Sequence, residues 1–222
     1  TWAQVSGEVG GQDSSTSRAG LADMRLRLSV LFVGAPALTL EELMKAPRKT
    51  ILGFSINVVA PTGQFYPYKL INLGTNRWAF RPELALSQPI GNRWLVDVYS
   101  GIWFFTNNNN FYPGSSKRTQ EPMVSFQGHI SYTIRPFMWV ALNTTYYVGG
   151  KTSVNDLYKD DRQSNARIGV TGSMPLSKRS TIKLSVSTGA IVRSGQDFTA
   201  YSFGYQYSWI KRKPKPAVPT TE

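Results

Sequence analysis

TNRWAFRPELALSQ, residues 75–88, places ionic and large apolar side chains on alternate positions. The odd positions hold the ions Arg77, Arg81 and Glu83, and the even positions hold the apolar residues Trp78, Phe80, Leu84 and Leu86. In each such segment we call the two alternating sets of positions the polar parity and the apolar parity. Because successive side chains of a β-strand point to opposite faces, this stretch predicts a strand with one polar and one apolar face. Pro82 lies on the apolar parity and lacks an N–H donor, so we expect a local irregularity in the hydrogen-bonded ladder there.

The same period of two recurs along most of the chain. Ten segments show it, most of them about nine to thirteen residues long: 1–9, 24–32, 52–60, 75–88, 94–104, 123–134, 138–148, 165–174, 181–190 and 198–209. Strands in soluble proteins cluster near roughly five or six residues, whereas strands that span a bilayer need about 9–11. The polar parity carries many Gly, Ser, Thr and Asn residues, which suits a crowded, wet interior. The alternation therefore favours an all-β, antiparallel, up-and-down transmembrane β-barrel of about ten strands over a soluble β-sandwich.

The connections between these segments alternate in length. The short ones are 88–93, 134–137 and 175–179, and the long ones are 61–74, 107–121 and 149–164. Bacterial outer-membrane barrels have this asymmetry, with short periplasmic turns and longer outer loops. NNNN at 107–110 predicts an exposed turn.

One connection, 34–49, is long although it falls on the short-turn side. Within it, TLEELMKA (39–46) predicts a short periplasmic helix, and Thr39 and Glu42 have the spacing of a capping box. The barrel is predicted over residues 1–210, with both chain ends in the periplasm. A basic, proline-rich tail over 211–222 follows, and we expect it to be extended and solvated.

The charge and the Cys and His content of the chain limit which partners and metal sites it can have. Only 17% of the 222 residues are charged, and the formal net charge is +12. Such an excess fits either an anionic partner or solvated loops with a basic tail. The chain has no Cys and one His, which argues against thiolate or zinc-type sites. We expect no metal, no cofactor and no nucleic-acid partner; the expected partners are outer-membrane lipid, a small-molecule solute and a partner chain or oligomer.

Several motifs resemble those of a known family. They are APTGQ (60–64), NLGTNRWAFRPELALS (72–87), PMVSFQGHISY (122–132), YYVGG (146–150) and SNARIGVTGSMPL (164–176). Over about residues 18–209 the chain is similar to the phenol-degradation meta-pathway, or transporter, family of outer-membrane β-barrels. The resemblance implies a passive outer-membrane channel for small molecules in a Gram-negative bacterium, and it supplies no catalytic residue. It also implies about twelve strands, so the sequence is a fragment, closes with ten strands or is completed by another chain.

The polar parity supplies the candidate site residues. The predicted lumen-lining and selectivity set is Arg25, Arg27, Arg77, Arg81, Glu83, Asp97, Gln127, His129, Asn143, Arg167, Lys183 and Gln206. Charged side chains in a pore select solutes by charge and size. The same ions can instead pair with each other and fill a narrow barrel, and both interpretations stay open here.

Aromatic residues lie towards the ends of the segments. Amphipathic rings favour the headgroup level of a bilayer, so they predict two aromatic girdles. The predicted girdle residues are Trp78, Trp94, Phe104, Phe137, Tyr146 and Trp209.

Two arrangements on the polar parity could instead carry chemistry. A tight turn at 89–91 would bring Glu83 and Asp97 together, either as a catalytic carboxylate pair or in a salt-bridge network with the arginines. His129, Ser131 and Asn143 have a spacing that resembles outer-membrane phospholipase A.

The patterns together favour a non-enzymatic channel for small, aromatic or amphipathic solutes. The alternative is a plugged structural barrel that scaffolds an envelope assembly, and a more remote one is an outer-membrane lipid hydrolase.

Overall fold

The structure is a computed structural model that describes residues 2–9, 12–36, 38, 42, 46–69, 71–177, 179–195 and 197–209, with the backbone alone for 2–9 and 12–14. Its strands are β1 (Trp2–Val9), β2 (Gln12–Ala19), β3 (Met24–Val33), β4 (Ile51–Ala60), β5 (Ala79–Ile90), β6 (Trp94–Phe105), β7 (Asn108–Phe111), β8 (Ser116–Gln120), β9 (Met123–Arg135), β10 (Met138–Gly149), β11 (Thr152–Val154), β12 (Leu157–Tyr158), β13 (Gln163–Pro175), β14 (Ser180–Ile191) and β15 (Ala200–Tyr207).

Nine long strands form one continuous sheet. Its order is β3-β4-β5-β6-β9-β10-β13-β14-β15, so each long strand pairs with the next long strand along the chain. A two-stranded sheet, β1-β2, and a four-stranded sheet, β7-β8-β11-β12, account for the other strands. All the pairs are antiparallel, which confirms the predicted all-β, antiparallel class.

The large sheet is open within the described residues. Strands β3 and β15 each pair along one edge only, so the sheet has nine strands and does not close. Of the three possibilities that the sequence left open, closure with ten strands is therefore not formed. The predicted segment 1–9 does not join the sheet, because β1 pairs with β2. Sequence analysis missed β2 because QDSSTSRA has no apolar parity to reveal it.

The two faces of the large sheet differ as the alternation predicts, and the apolar face is the exposed one. On β5, Glu83 is 3% exposed and its neighbour Leu84 is 60% exposed. Among the described residues, buried polar or charged residues outnumber buried apolar residues nine to four. A soluble β-sandwich would bury its apolar faces against each other. This inverted distribution contradicts the sandwich alternative.

Short turns join the long strands at one end of the sheet. The β5–β6 turn covers residues 91–93 and has Gly91 at φ 59°, and the β9–β10 turn has Phe137 at φ 64°. At the opposite end, two of the three predicted long connections, 107–121 and 149–164, fold into the four-stranded sheet, in which β8 of one loop pairs with β11 of the next. The predicted alternation of short and long connections is therefore matched by a turn end and a loop end.

The prediction of an exposed turn at 107–110 is wrong about the turn, because β7 begins within it, and right about exposure except at Asn108. Asn108 begins β7 and is buried. Its side-chain oxygen accepts a hydrogen bond from the Asn76 amide over 2.9 Å, and its own amide donates to the Thr75 carbonyl over 3.1 Å. One asparagine of an exposed run can thus be buried when residues of a neighbouring connection satisfy its side-chain amide.

The irregularity expected at Pro82 is confirmed. Strand β5 pairs with β6 on both sides of residues 81 and 82 but not at those two positions. Gly101 lies beside this interruption, and a Cβ built on it would lie 2.9 Å from the Pro82 carbonyl oxygen. The proline removes a ladder donor, and the glycine allows the two backbones to approach.

Two predictions fall largely outside the described residues. Of the predicted helix 39–46, only residues 42 and 46 are described; the Ala46 N–H donates to the Glu42 carbonyl over 2.8 Å, the spacing of one helical turn. The basic tail 211–222 also lies outside them. Among the residues that the structure describes, no helix is long and apolar enough to cross a membrane.

Candidate functional site

An ion cluster occupies the polar face where β3, β4 and β5 lie side by side. Oε1 of Glu83 accepts hydrogen bonds from Arg27 Nη2 and Ser55 Oγ, each at 3.2 Å, and Oε2 lies 3.1 Å from Arg81 Nη2. The side chain of Arg81 is 13% exposed, whereas that of Arg27 is 50% exposed. One carboxylate therefore compensates two guanidinium groups, and this cluster keeps a net positive charge.

Two aromatic residues that sequence analysis did not select lie against the arginines. Trp103 and Phe105 stack with their ring centroids 6.2 Å apart. The Arg81 guanidinium carbon lies 4.9 Å from the centre of the Trp103 ring, and that of Arg77 lies 4.5 Å from the centre of the Phe105 ring. Such cation–π contacts favour a fixed arginine geometry. The sequence did contain a signal that these rings lie on the polar face, because Trp103 and Phe105 share the parity of Asp97.

Arg77 joins the polar face to the four-stranded sheet. Its Nη2 donates to the side-chain oxygen of Gln120 on β8. The side-chain amide of Gln120 donates in turn to the Gly150 carbonyl over 2.9 Å. Burial, and then repulsion by Arg118, lower the pKa of Arg77 to about 10, so the group stays cationic at neutral pH. It forms no ion pair with a carboxylate among the described residues. The loop end of the polar face thus carries uncompensated positive charge.

The single histidine forms part of a polar chain across β9, β10 and β13. His129 Nδ1 lies 2.8 Å from Asn143 Oδ1, and the Asn143 amide donates to Thr171 Oγ1 over 2.8 Å. Ser131 does not complete a catalytic group, because its hydroxyl donates to the Leu95 carbonyl over 3.3 Å. The structure therefore brings together the predicted base and orienting group, but the hydroxyl that would be the nucleophile has a different partner.

The predicted approach of Glu83 and Asp97 is wrong. Glu83 lies opposite Gly101 on β6, whereas Asp97 lies opposite Ser87 on β5. The two acids are four register positions apart (101 minus 97), roughly 13 Å along the strands at about 3.3 Å per residue. They are separated because they lie at unequal distances from the turn. Within the described part of the chain, the Asp97 carboxylate forms no hydrogen bond or ion pair.

Arg167 on β13 contacts the connection between β14 and β15. Its Nη2 donates to the Ser187 and Phe198 carbonyls over 3.1 and 2.8 Å, and its guanidinium carbon lies 3.9 Å from the centre of the Phe198 ring. Its Nη1 lies 3.8 Å from the Asp197 carboxylate. The other predicted lumen residues form no side-chain hydrogen bond or ion pair with a described residue: Arg25, Gln127, Lys183 and Gln206.

The six predicted girdle residues are all exposed and fall at the two ends of the large sheet. At the loop end are Trp78, Phe104 and Tyr146; at the turn end are Trp94, Phe137 and Trp209. This arrangement has the geometry of two aromatic belts, one at each end of the exposed apolar face.

A cavity of about 940 Å³ lies between the β3–β4 connection and the polar face of the sheet. The connection contributes Arg48 and Lys49, and the sheet contributes Asp97, His129 and Asn143. The volume is within the range of small-molecule sites, about 300–1,000 Å³. Among the described residues, no group of three acidic or histidine side chains is placed to hold a metal ion.

Comparisons with known proteins agree with this architecture. No curated protein matches the chain. The fold is similar to the crystal structure of an outer membrane channel from Pseudomonas putida F1, with a TM-score of 0.74 and 21% sequence identity, over 88% of this chain and 71% of that chain. Residues 1–211 match the sequence model of the family described as "Putative MetA-pathway of phenol degradation". The chain therefore belongs to that family.

Proposed function

We propose that the protein is a passive outer-membrane channel for small, aromatic or amphipathic solutes. The observation that carries the proposal is the nine-stranded sheet in chain order, with its apolar face exposed and its ions on the opposite face. Most of these strands have 10–13 residues, long enough for a tilted strand to cross a bilayer, which needs about 9–11 residues. The fold shared with the outer membrane channel from Pseudomonas putida F1 supports the same function.

In the membrane, we propose that the sheet closes into a barrel. An edge exposed to lipid would leave the N–H and C=O groups of β3 and β15 unsatisfied, which is costly in hydrocarbon. An even number of crossings, with both chain ends in the periplasm, requires at least one strand beyond these nine. A longer chain or a second chain could supply it, and twelve strands, the number that the family resemblance implies, would be reached if the two strands of the β1–β2 hairpin and one more strand joined the nine.

The proposed solute path follows the polar face. The lumen-lining residues named from the sequence are its walls, and the cluster of Arg27, Arg81 and Glu83 contains two of the three ion pairs among the described residues. Because this cluster and Arg77 carry excess positive charge, the path should favour anions over cations. The exposed aromatic residues at the two ends of the sheet are proposed to lie at the headgroup level of the membrane.

Electrical recording in planar bilayers tests the channel directly. The full chain should give discrete conductance steps, and liposomes that contain it should swell in permeant solutes. Because the chain has no Cys, single-cysteine variants can be labelled cleanly. A charged, water-soluble thiol reagent should reduce the current through Gln127→Cys, on the polar face, and leave Phe126→Cys, on the apolar face, unchanged. A protein that inserts but shows neither current nor flux is not a channel.

A plugged structural barrel is the second candidate. The ion cluster of Arg27, Arg81 and Glu83 favours it, since these side chains fill space at the polar face. Insertion into outer membranes without conductance or solute flux would support this alternative.

The lipid-hydrolase alternative has a separate test, because it predicts phospholipid hydrolysis that Ser131→Ala abolishes. The hydrogen bond from Ser131 to the Leu95 carbonyl argues against it.

A further inference from the structure

The cavity beneath the β3–β4 connection, which we call the basal cavity, has cations on one wall and a carboxylate on another. Arg48 and Lys49 belong to the connection and are exposed, and Asp97 belongs to β6. Within the described residues, none of these three side chains forms a hydrogen bond or an ion pair. The cavity therefore presents separated, uncompensated charges to whatever occupies it.

The remaining walls are largely apolar. Leu38 and Ile51 line the cavity beside the connection, and Leu95, Trp139 and Ala141 line it from the sheet. An occupant that buries a hydrocarbon body against these side chains gains hydrophobic stabilisation, whereas a small inorganic ion would not.

We propose that the basal cavity binds a small organic monoanion with a compact apolar body, such as a cyclic carboxylate. Arg48 and Lys49 contact the anionic group, and the apolar walls cover the body. This inference rests on the proposed function in one respect, since it places a solute-binding site on the proposed path. It goes beyond that function by naming the charge of the solute.

The polar groups of the sheet determine the orientation of the anion. His129 and Asn143 are hydrogen-bonded to each other, and Asn143 also binds Thr171, so this chain is already satisfied. Among the described residues of that wall, Asp97 is the acidic group, it has no hydrogen-bond or ion-pair partner, and its negative charge repels a carboxylate. The anionic end is therefore directed towards the connection, and a second anionic group on the far end of the solute is disfavoured.

The charges along the path favour the same sign of solute. Arg27 and Arg81 share the single carboxylate of Glu83, and Arg77 near the loop end has no carboxylate partner among the described residues. A wall with excess positive charge raises the local concentration of anions. An anion that enters from the loop end would meet this charge before it reaches Arg48 and Lys49 at the turn end.

Calorimetric titration of the full chain in nanodiscs of zwitterionic lipid tests the proposal. The probes share one ring: cyclohexanecarboxylate, its neutral carboxamide and cyclohexylammonium. The carboxylate should bind more tightly than the other two. Arg48→Gln combined with Lys49→Gln should raise its Kd about tenfold, the size expected of two partly exposed charge pairs, and Asp97→Asn should lower its Kd by a factor of roughly two to five, the size of one such pair.

Arg93→Gln is the matched control. Arg93 lies in the β5–β6 turn, at the same end of the sheet, and donates to the Tyr132 hydroxyl over 2.9 Å, but it does not line the cavity. Its loss removes one positive charge from that end without changing the proposed site. Because Asp97→Asn should strengthen binding, a general loss of folding cannot reproduce the full pattern.

Equal binding of the carboxylate and the carboxamide, tighter binding of the ammonium, or no effect of the double substitution would each overturn the proposal. Planar-bilayer recording on the same preparation separates the two hypotheses. Conductance without binding overturns the anion site and leaves the channel function standing, whereas binding without conductance or flux leaves the site standing and overturns the channel function.

Discussion

The buried carboxylate of Glu83 is the group on which the ion cluster depends most. Both of its oxygens have cationic partners, Arg27 on one and Arg81 on the other, and Ser55 donates to the first. Glu83→Gln keeps the shape of the side chain but removes its charge. The new side-chain amide turns its NH2 group towards one of the two guanidinium groups, where two donors meet and no acceptor remains. Because the negative charge is gone, the buried Arg81 also loses its ion pair.

The expected loss of unfolding free energy depends on how exposed the two ion pairs of Glu83 are, one with Arg27 and one with Arg81. Removing one partner of a buried ion pair costs about 3–5 kcal/mol, and the pair with Arg81 is of this kind. The pair with Arg27 is half-exposed and contributes at most about 1 kcal/mol. The amide oxygen still accepts one hydrogen bond, which offsets about 1 kcal/mol. We therefore expect Glu83→Gln to lower the free energy of unfolding by about 3 kcal/mol.

Urea unfolding in lipid vesicles, followed by tryptophan fluorescence, measures this change. Asp97→Asn is the matched control, because it removes the same charge from the same face at a residue without an ion-pair partner among the described residues. Its unfolding free energy should change by less than about 0.5 kcal/mol. The reasoning is refuted if Glu83→Gln costs less than about 1 kcal/mol, or if Asp97→Asn costs as much.

Three other substitutions test the apolar face, the β5–β6 interruption and the loop end. Leu84→Arg should cost about 2–4 kcal/mol of unfolding free energy in vesicles, against less than about 0.5 for Gln127→Arg on the polar face; equal costs would contradict the assigned faces. Gly101→Ala should lower the unfolding free energy by about 1–3 kcal/mol in the same assay, because its Cβ would lie 2.9 Å from the Pro82 carbonyl oxygen. An unchanged unfolding free energy would show that β5 and β6 can move apart at this point without cost. Although burial raises the pKa of Asp161, hydrogen bonds from Thr152 and the charge of Arg118 lower it overall. Its stabilisation of the four-stranded sheet is therefore present above the ordinary Asp pKa of about 3.9 and lost as the pH falls through the lowered value. The protection of the β11 amides, which is the intrinsic exchange rate divided by the observed rate at the same pH, should fall there in the native protein and already at pH 7 in Asp161→Asn, and equal protection at pH 7 would exclude this role.

The alternation of side chains carried over from sequence to structure because it is a local property of a strand. Leu84 and Glu83 lie on opposite faces by the pleat alone, whatever their strand pairs with. The interruption at Pro82 is local for the same reason, since a proline lacks the ladder donor in any sheet. Sequence analysis failed where a strand had no such signal, as in β2.

Contacts between side chains could not be predicted from the alternation, because they depend on how the strands pair. Arg27 and Glu83 are 56 residues apart, and β4 brings them together by pairing with both of their strands. Glu83 and Asp97 are much closer in sequence, yet their unequal distances from the turn keep them apart. Parity gives the face of a residue, but only the register gives its neighbours.

The sequence by itself determined the strand class, the two faces, the alternating connections and the family. The tertiary structure alone decided which ions share Glu83, that Trp103 and Phe105 lie against arginines, and that Arg48, Lys49 and Asp97 line one cavity. The division has one physical cause. A strand presents its faces through local backbone geometry, whereas register, turn length and the course of a long connection depend on residues far apart in the chain.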